Sequence, residues 1–171
     1  MRILKYTALF LIVTLFQQSC RKIETLPPEP YIEFTQFEIF DTTDILGNIS
    51  KGGRLKFYFE DGDGDLGLRA PAGGASDTTN LFLTLYRKDN GAMVPAPPDD
   101  PLKPSEYRIP YMARLGQNKI LRGTIAVTFI YLFAAPGDTI KYDFYIEDRA
   151  LNESNVATTA EIIVTENNIY K

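Results

Sequence analysis

Apolar side chains recur at every second position in two stretches of this chain, and that period restricts the fold more than any other feature. Leu55, Phe57 and Phe59 share one face of an extended segment, as do Ile140, Tyr142, Phe144 and Ile146. A period of two places alternate side chains on opposite sides of a strand, whereas a helix repeats near 3.6 residues. Each stretch therefore predicts a half-buried strand. β-branched and aromatic residues alternate with polar ones over most of the chain, with turn residues between the runs and no long helical pattern. Strands are predicted over residues 31–40, 54–60, 81–88, 107–114, 120–133, 139–147 and 157–166. Such a series predicts an all-β sandwich of about seven strands.

The first strand changes parity between Ile32-Phe34 and Phe37-Ile39, which a bulge or a switch between sheets accommodates. Asp89-Asn90-Gly91 has the chemistry of a hairpin turn, since Asn and Gly tolerate positive φ. Pro136-Gly137-Asp138 marks a second turn. Residues 61–80 and 95–105 are longer than a turn requires, and long loops in compact domains either carry function or are tolerated insertions.

The best candidate for chemistry follows the second strand, where Glu60-Asp61-Gly62-Asp63-Gly64-Asp65-Leu66-Gly67 alternates carboxylates with small residues. Calcium takes several oxygen ligands, and carboxylates at alternate positions can supply them from one turn bent by glycine. Asp61, Asp63 and Asp65 are the candidate ligands. An EF-hand counted from Asp61 needs Gly sixth and Glu twelfth, and Leu66 and Ala72 stand there, so that motif is excluded. The alternative is an acidic turn whose Asp side chains bond nearby backbone N–H groups.

Residues 145–164, YIEDRALNESNVATTAEIIV, resemble the last two strands of bacterial immunoglobulin-like domains of the cadherin-like and fibronectin-like kind, with Leu151 where glycine is usual. FEDGDGDLGL is similar to a segment of uncharacterised lipoproteins of Gram-negative bacteria. The resemblance implies an immunoglobulin-like sandwich in the cell envelope, with Asp148, Asn152 and Asn155 mostly shaping a turn. In such a seven-strand sandwich the loops after the second and sixth strands emerge at one end. Asp148 and Asn152 are thus weaker metal candidates, able to face Asp61, Asp63 and Asp65 across one pole. This holds for an even number of chain reversals between the loops; an extra strand at residues 92–94 would break it.

The N-terminal sequence MRILKYTALFLIVTLFQQSC reads as an export signal, with Arg2 and Lys5 ahead of an apolar run. Residues 7–16 would span about 15 Å as a helix, half of a bilayer core of about 30 Å. The Ser-Cys ending resembles the lipobox of bacterial lipoproteins, which implies cleavage before Cys20 and lipid attachment to its thiol. The organisation expected is a signal over residues 1–19, a lipidated Cys20 with a Pro-rich tether to residue 30, and one domain over 31–171. Arg21 is not the aspartate associated with inner-membrane retention, so the resemblance implies the outer membrane, on its periplasmic or its surface side.

Composition narrows the function classes. The formal net charge is −4, and removing Arg2 and Lys5 with the signal leaves 16 basic against 22 acidic residues, or −6. Nucleic acid is not an expected partner, because a phosphate-binding surface needs a concentrated positive field. The single cysteine would be acylated and histidine is absent, which removes histidine-dependent triads and the usual thiol and imidazole ligands. The leading expectation is a non-enzymatic, lipid-anchored binding or structural module with a protein or glycan partner. The alternatives are a glycan-binding surface lipoprotein using its tyrosines, or a carboxylate-based hydrolase of the glycosidase kind, which needs two acids held across a cleft.

Overall fold

The computed structural model describes residues 24–70, 79–104, 107–113 and 119–171. The segment expected as an export signal and Cys20 lie outside these residues, as do positions 71–78 of the first long loop. Among these residues nine strands follow in order: β1 (Tyr31–Thr43), β2 (Ile49–Asp61), β3 (Leu81–Asp89), β4 (Ala92–Pro95), β5 (Leu121–Tyr131), β6 (Thr139–Ile146), β7 (Ala157–Thr158), β8 (Ile162–Ile163) and β9 (Asn168–Tyr170). One sheet has the order β5-β2-β1-β9 and the other β4-β3-β6-β7, with β8 also on β6. All named pairs are antiparallel. Among the described residues no helix is long and apolar enough to cross a membrane.

The two alternating stretches form the facing surfaces of the sandwich. Leu55, Phe57 and Phe59 of β2 and Ile140, Tyr142, Phe144 and Ile146 of β6 are all buried. Across the gap, Phe57 meets Phe144 with ring centroids 5.2 Å apart, and Phe37 meets Tyr142 at 5.9 Å. Each large apolar side chain so buried stabilises the fold by about 1.5–3 kcal/mol. The hydroxyls of Tyr131 and Tyr142 pair at 3.0 Å, and Tyr142 donates to the Leu102 carbonyl at 3.3 Å, so the core oxygens are satisfied.

The parity change in β1 is a bulge: its register against β2 shifts between Phe34 and Gln36. The β3–β4 turn places Asn90 and Gly91 at φ 48° and 85°, which suits the twist of a two-residue hairpin. Gly137 likewise turns at φ 86°.

Residues 107–113 do not form the expected strand. Tyr107 and Pro110 make only isolated bridges, to Leu81 and Leu68. Pro110 has no N–H for a ladder, and the segment takes its bonds elsewhere. Ile109 N donates to Asn80 Oδ1 at 2.7 Å, and Leu68 N donates to the Ile109 carbonyl at 2.9 Å. The predicted last strand, 157–166, is broken into β7 and β8.

Residues 24–30, expected as part of an extended tether, lie against the domain. Pro30 is buried, and the carbonyls of Leu26 and Pro27 crowd Gly62 so closely that a Cβ there would come within 2.1 Å of the Pro27 oxygen. Glu24 forms an ion pair with Arg122, whose Nε also meets Glu60 at 3.1 Å. This strap crosses the end of the sandwich at which β1 begins and β2 ends.

Candidate functional site

That end is an acidic pole. β2 delivers Asp61 to it opposite Leu121, and β6 ends there with Ile146 opposite Leu81. The expected meeting of the two loops therefore occurs, although β4 is present at the position that would have broken the parity. The reversal count survives because the predicted strand over 107–114 is lost as β4 is gained.

Asp61 is fully buried, and its carboxylate accepts from Leu66 N at 2.7 Å and Gly64 N at 3.1 Å. It bends the loop into a closed turn, with Gly64 at φ 70° and Gly67 at φ 86° supplying backbone that other residues rarely adopt. Burial pushes the Asp61 carboxyl up, opposed by those two N–H groups and reinforced by Asp63. Asp63 and Asp65 sit beside it. Among the described residues each has its Oδ1 buried without a hydrogen-bond partner, and one oxygen from each of Asp61, Asp63 and Asp65 lies within 4.8 Å of the others. Burial, then the charges of Asp148, Asp63 and Asp61, push the Asp65 carboxyl up to about 6, with Arg149 pulling the other way.

Asp148 and Asn152 reach the same pole in a different role. Asp148 is buried, and its carboxylate accepts from Ala150 N, Asn152 N and Asn152 Nδ2, each at 2.8 Å. Both side chains are thus committed to their own turn. Asp148 contributes its charge to Asp65, while the three converging carboxylates come from the end of β2 and the loop that follows it.

Three residues outside the candidate ligand set build the pole. Arg149 donates to the carbonyls of Leu66 and Gly67 at 3.1 and 2.9 Å, joining the two loops. Its guanidinium also stacks on Tyr111, whose ring carries Arg69 as a second cation. Asn80, buried after the loop, bonds Ile109 N and the Glu147 carbonyl. Asn155, expected in the turn, reaches across to β1 and pairs with both N and O of Ile32, at 2.8 and 2.9 Å. Only adjacency to Asp148 marked Arg149 in the sequence; its carbonyl partners are 82 and 83 positions away.

Oxygens bound to one calcium ion at about 2.3–2.6 Å can be no more than about 5 Å apart. The Asp61-Asp63-Asp65 group meets that limit, and two of its members carry buried oxygens that gain by taking a cation. No protein family, curated protein or solved structure matches the chain.

Proposed function

We propose that this chain is a lipid-anchored, non-enzymatic module of the bacterial cell envelope, an immunoglobulin-like sandwich whose acidic pole binds calcium and which serves a protein or glycan partner. The observation that carries the calcium reading is the pair of buried, unpartnered oxygens on Asp63 and Asp65 beside Asp61. Left without a cation they repel one another in a poorly solvated turn. A calcium ion would satisfy both and relieve the repulsion that raises the Asp65 carboxyl.

Strand order supports the immunoglobulin-like part. Lettering β1 to β7 in chain order as A, B, C, C′, E, F and G turns β5-β2-β1 into E-B-A and β4-β3-β6-β7 into C′-C-F-G, an arrangement that belongs to such sandwiches. The non-enzymatic part is supported by the origin of the carboxylates: they converge from one turn rather than face one another across a cleft. Lipid attachment is supported by Cys20 at the end of a signal-like segment.

Calorimetric titration of calcium into the metal-stripped protein tests the site. Binding in the micromolar to millimolar range is expected, with its loss in an Asp63→Asn, Asp65→Asn double variant. No heat from the unaltered protein would return the loop to a structural turn. For the anchor, Cys20→Ala should shift the chain from the membrane to the soluble fraction; unchanged partition would refute lipidation.

A further inference from the structure

We infer that the acidic pole is the face turned toward the membrane, with Leu151 and Tyr111 at the level of the lipid headgroups and the apolar opposite end held away. This inference rests on the lipid anchor at Cys20 proposed above.

The strap sets the geometry. Glu24 is paired to Arg122, opposite Glu60 and one position from Asp61 in the β2–β5 register. Glu24 is four positions along the chain from Cys20. A chain reaches at most ~3.6 Å per residue, so the acylated residue lies within about 14 Å of Glu24 whatever the path between them. An exposed ion pair holds weakly, yet counting from Leu26, which packs over Gly62, extends the reach only to about 22 Å. The opposite end is farther. β1 spans 13 residues leading away from the pole, or about 40 Å at ~3.3 Å per step, and ends at the hairpin that exposes Ile45 and Leu46.

The surface at the pole suits that position. Leu151 occupies the left-handed region at φ 67° with 70 % of its surface exposed. Glycine would hold this turn without strain, whereas a leucine costs about 1 kcal/mol or more there and gains nothing from the fold by projecting into solvent. An apolar side chain kept at a strained loop tip fits a surface that is covered in use. Beside the same loops, Tyr111 is 40 % exposed and its ring carries the guanidinium groups of Arg69 and Arg149 at 4.7 and 4.8 Å from its centroid. An exposed aromatic ring carrying an arginine is the side-chain chemistry of a headgroup layer, where the ring sits at the acyl boundary and the cation meets phosphate; Arg69 is the cation in that position, since Arg149 is held by the Leu66 and Gly67 carbonyls.

The chain contains no tryptophan, so an introduced one reports alone. Full-length lipidated protein carrying Leu151→Trp, Tyr111→Trp or Ile45→Trp would be reconstituted into phosphatidylglycerol vesicles with brominated acyl chains. Emission would be read in calcium and in chelator. In at least one condition the Leu151→Trp protein should lose about half of its emission, given side-chain burial of about 5–10 Å at such an interface. Tyr111→Trp should follow it, and Ile45→Trp should be unchanged. Tyr111→Trp keeps an aromatic ring beneath the arginines and guards against misfolding at Leu151. The inference is overturned if neither pole variant is quenched in either condition, or if Ile45→Trp is quenched as strongly, which would mean that the domain lies flat. Intact mass separates the two readings: a chain without lipid refutes the anchor and this inference with it, whereas a lipidated but unquenched chain refutes the orientation alone.

Discussion

Replacing Asp65 with Asn tests the electrostatics of the acidic pole directly. Burial and the charges of Asp148, Asp63 and Asp61 raise its carboxyl from 3.8 to about 6, a rise of about two units, or about 3 kcal/mol at ~1.4 kcal/mol per unit. The side chain is only partly buried, and solvent screening reduces the cost to roughly 1–2 kcal/mol. A folded-state pKa above the unfolded value means that the folded chain holds the proton more tightly. The contribution of Asp65 to stability is therefore fully present below about pH 4 and is lost as the pH rises through about 6. Asp61 shifts in the same direction. In chelator at pH 7, Asp65→Asn should stabilise the protein by roughly 1–2 kcal/mol, a rise in Tm of roughly 2–8 °C for a domain of this size. Calcium should reverse the ranking. At a hundred times its Kd it would stabilise the unaltered protein by about 2.7 kcal/mol, while the variant has lost a charged ligand. Thermal melts by circular dichroism from pH 4 to 8, with chelator and with calcium, read both effects. A variant that melts below the unaltered protein in chelator at pH 7, or pH profiles that run parallel, would refute the reasoning.

Gly62→Ala should expel the strap, because the added Cβ meets the Pro27 carbonyl at 2.1 Å; amide exchange over residues 24–30 should accelerate, with a stability loss of about 1–3 kcal/mol. Leu151→Gly should raise stability by about 1 kcal/mol in denaturant titration by removing a leucine from φ 67°, and the same variant should weaken contact with vesicles. Asn155→Ala removes both bonds to Ile32 and should cost about 1–3 kcal/mol, read as a lower urea midpoint with an unchanged slope.

Much of the architecture was legible because its signals are local. Alternation in β2 and β6 marked the facing core surfaces, and the parity change marked the bulge in β1. Asn90-Gly91 and Gly137 marked two turns through the φ values they permit. The segment over 107–113 misled because Tyr107, Ile109 and Tyr111 also alternate, while its backbone bonds go to Asn80, Leu68 and Leu81, whose positions no local pattern reveals. The β4 strand is short and exposed, so burial left little mark on its sequence. Two opposite departures from the expected strand series preserved the parity on which the acidic pole depends.

The sequence alone determined the all-β fold and the faces that form the core, and it set Asp61, Asp63 and Asp65 at alternate positions of one acidic segment, because each follows from spacing along a strand or within a turn. Tertiary structure decided which of the acids converge and which are spent on a turn. It also joined the two loops through Arg149 and laid residues 24–30 across the pole. These outcomes depend on contacts between residues far apart in the chain, where desolvation, charge proximity and the fit of a carbonyl over Gly62 are set only after the sheets have packed.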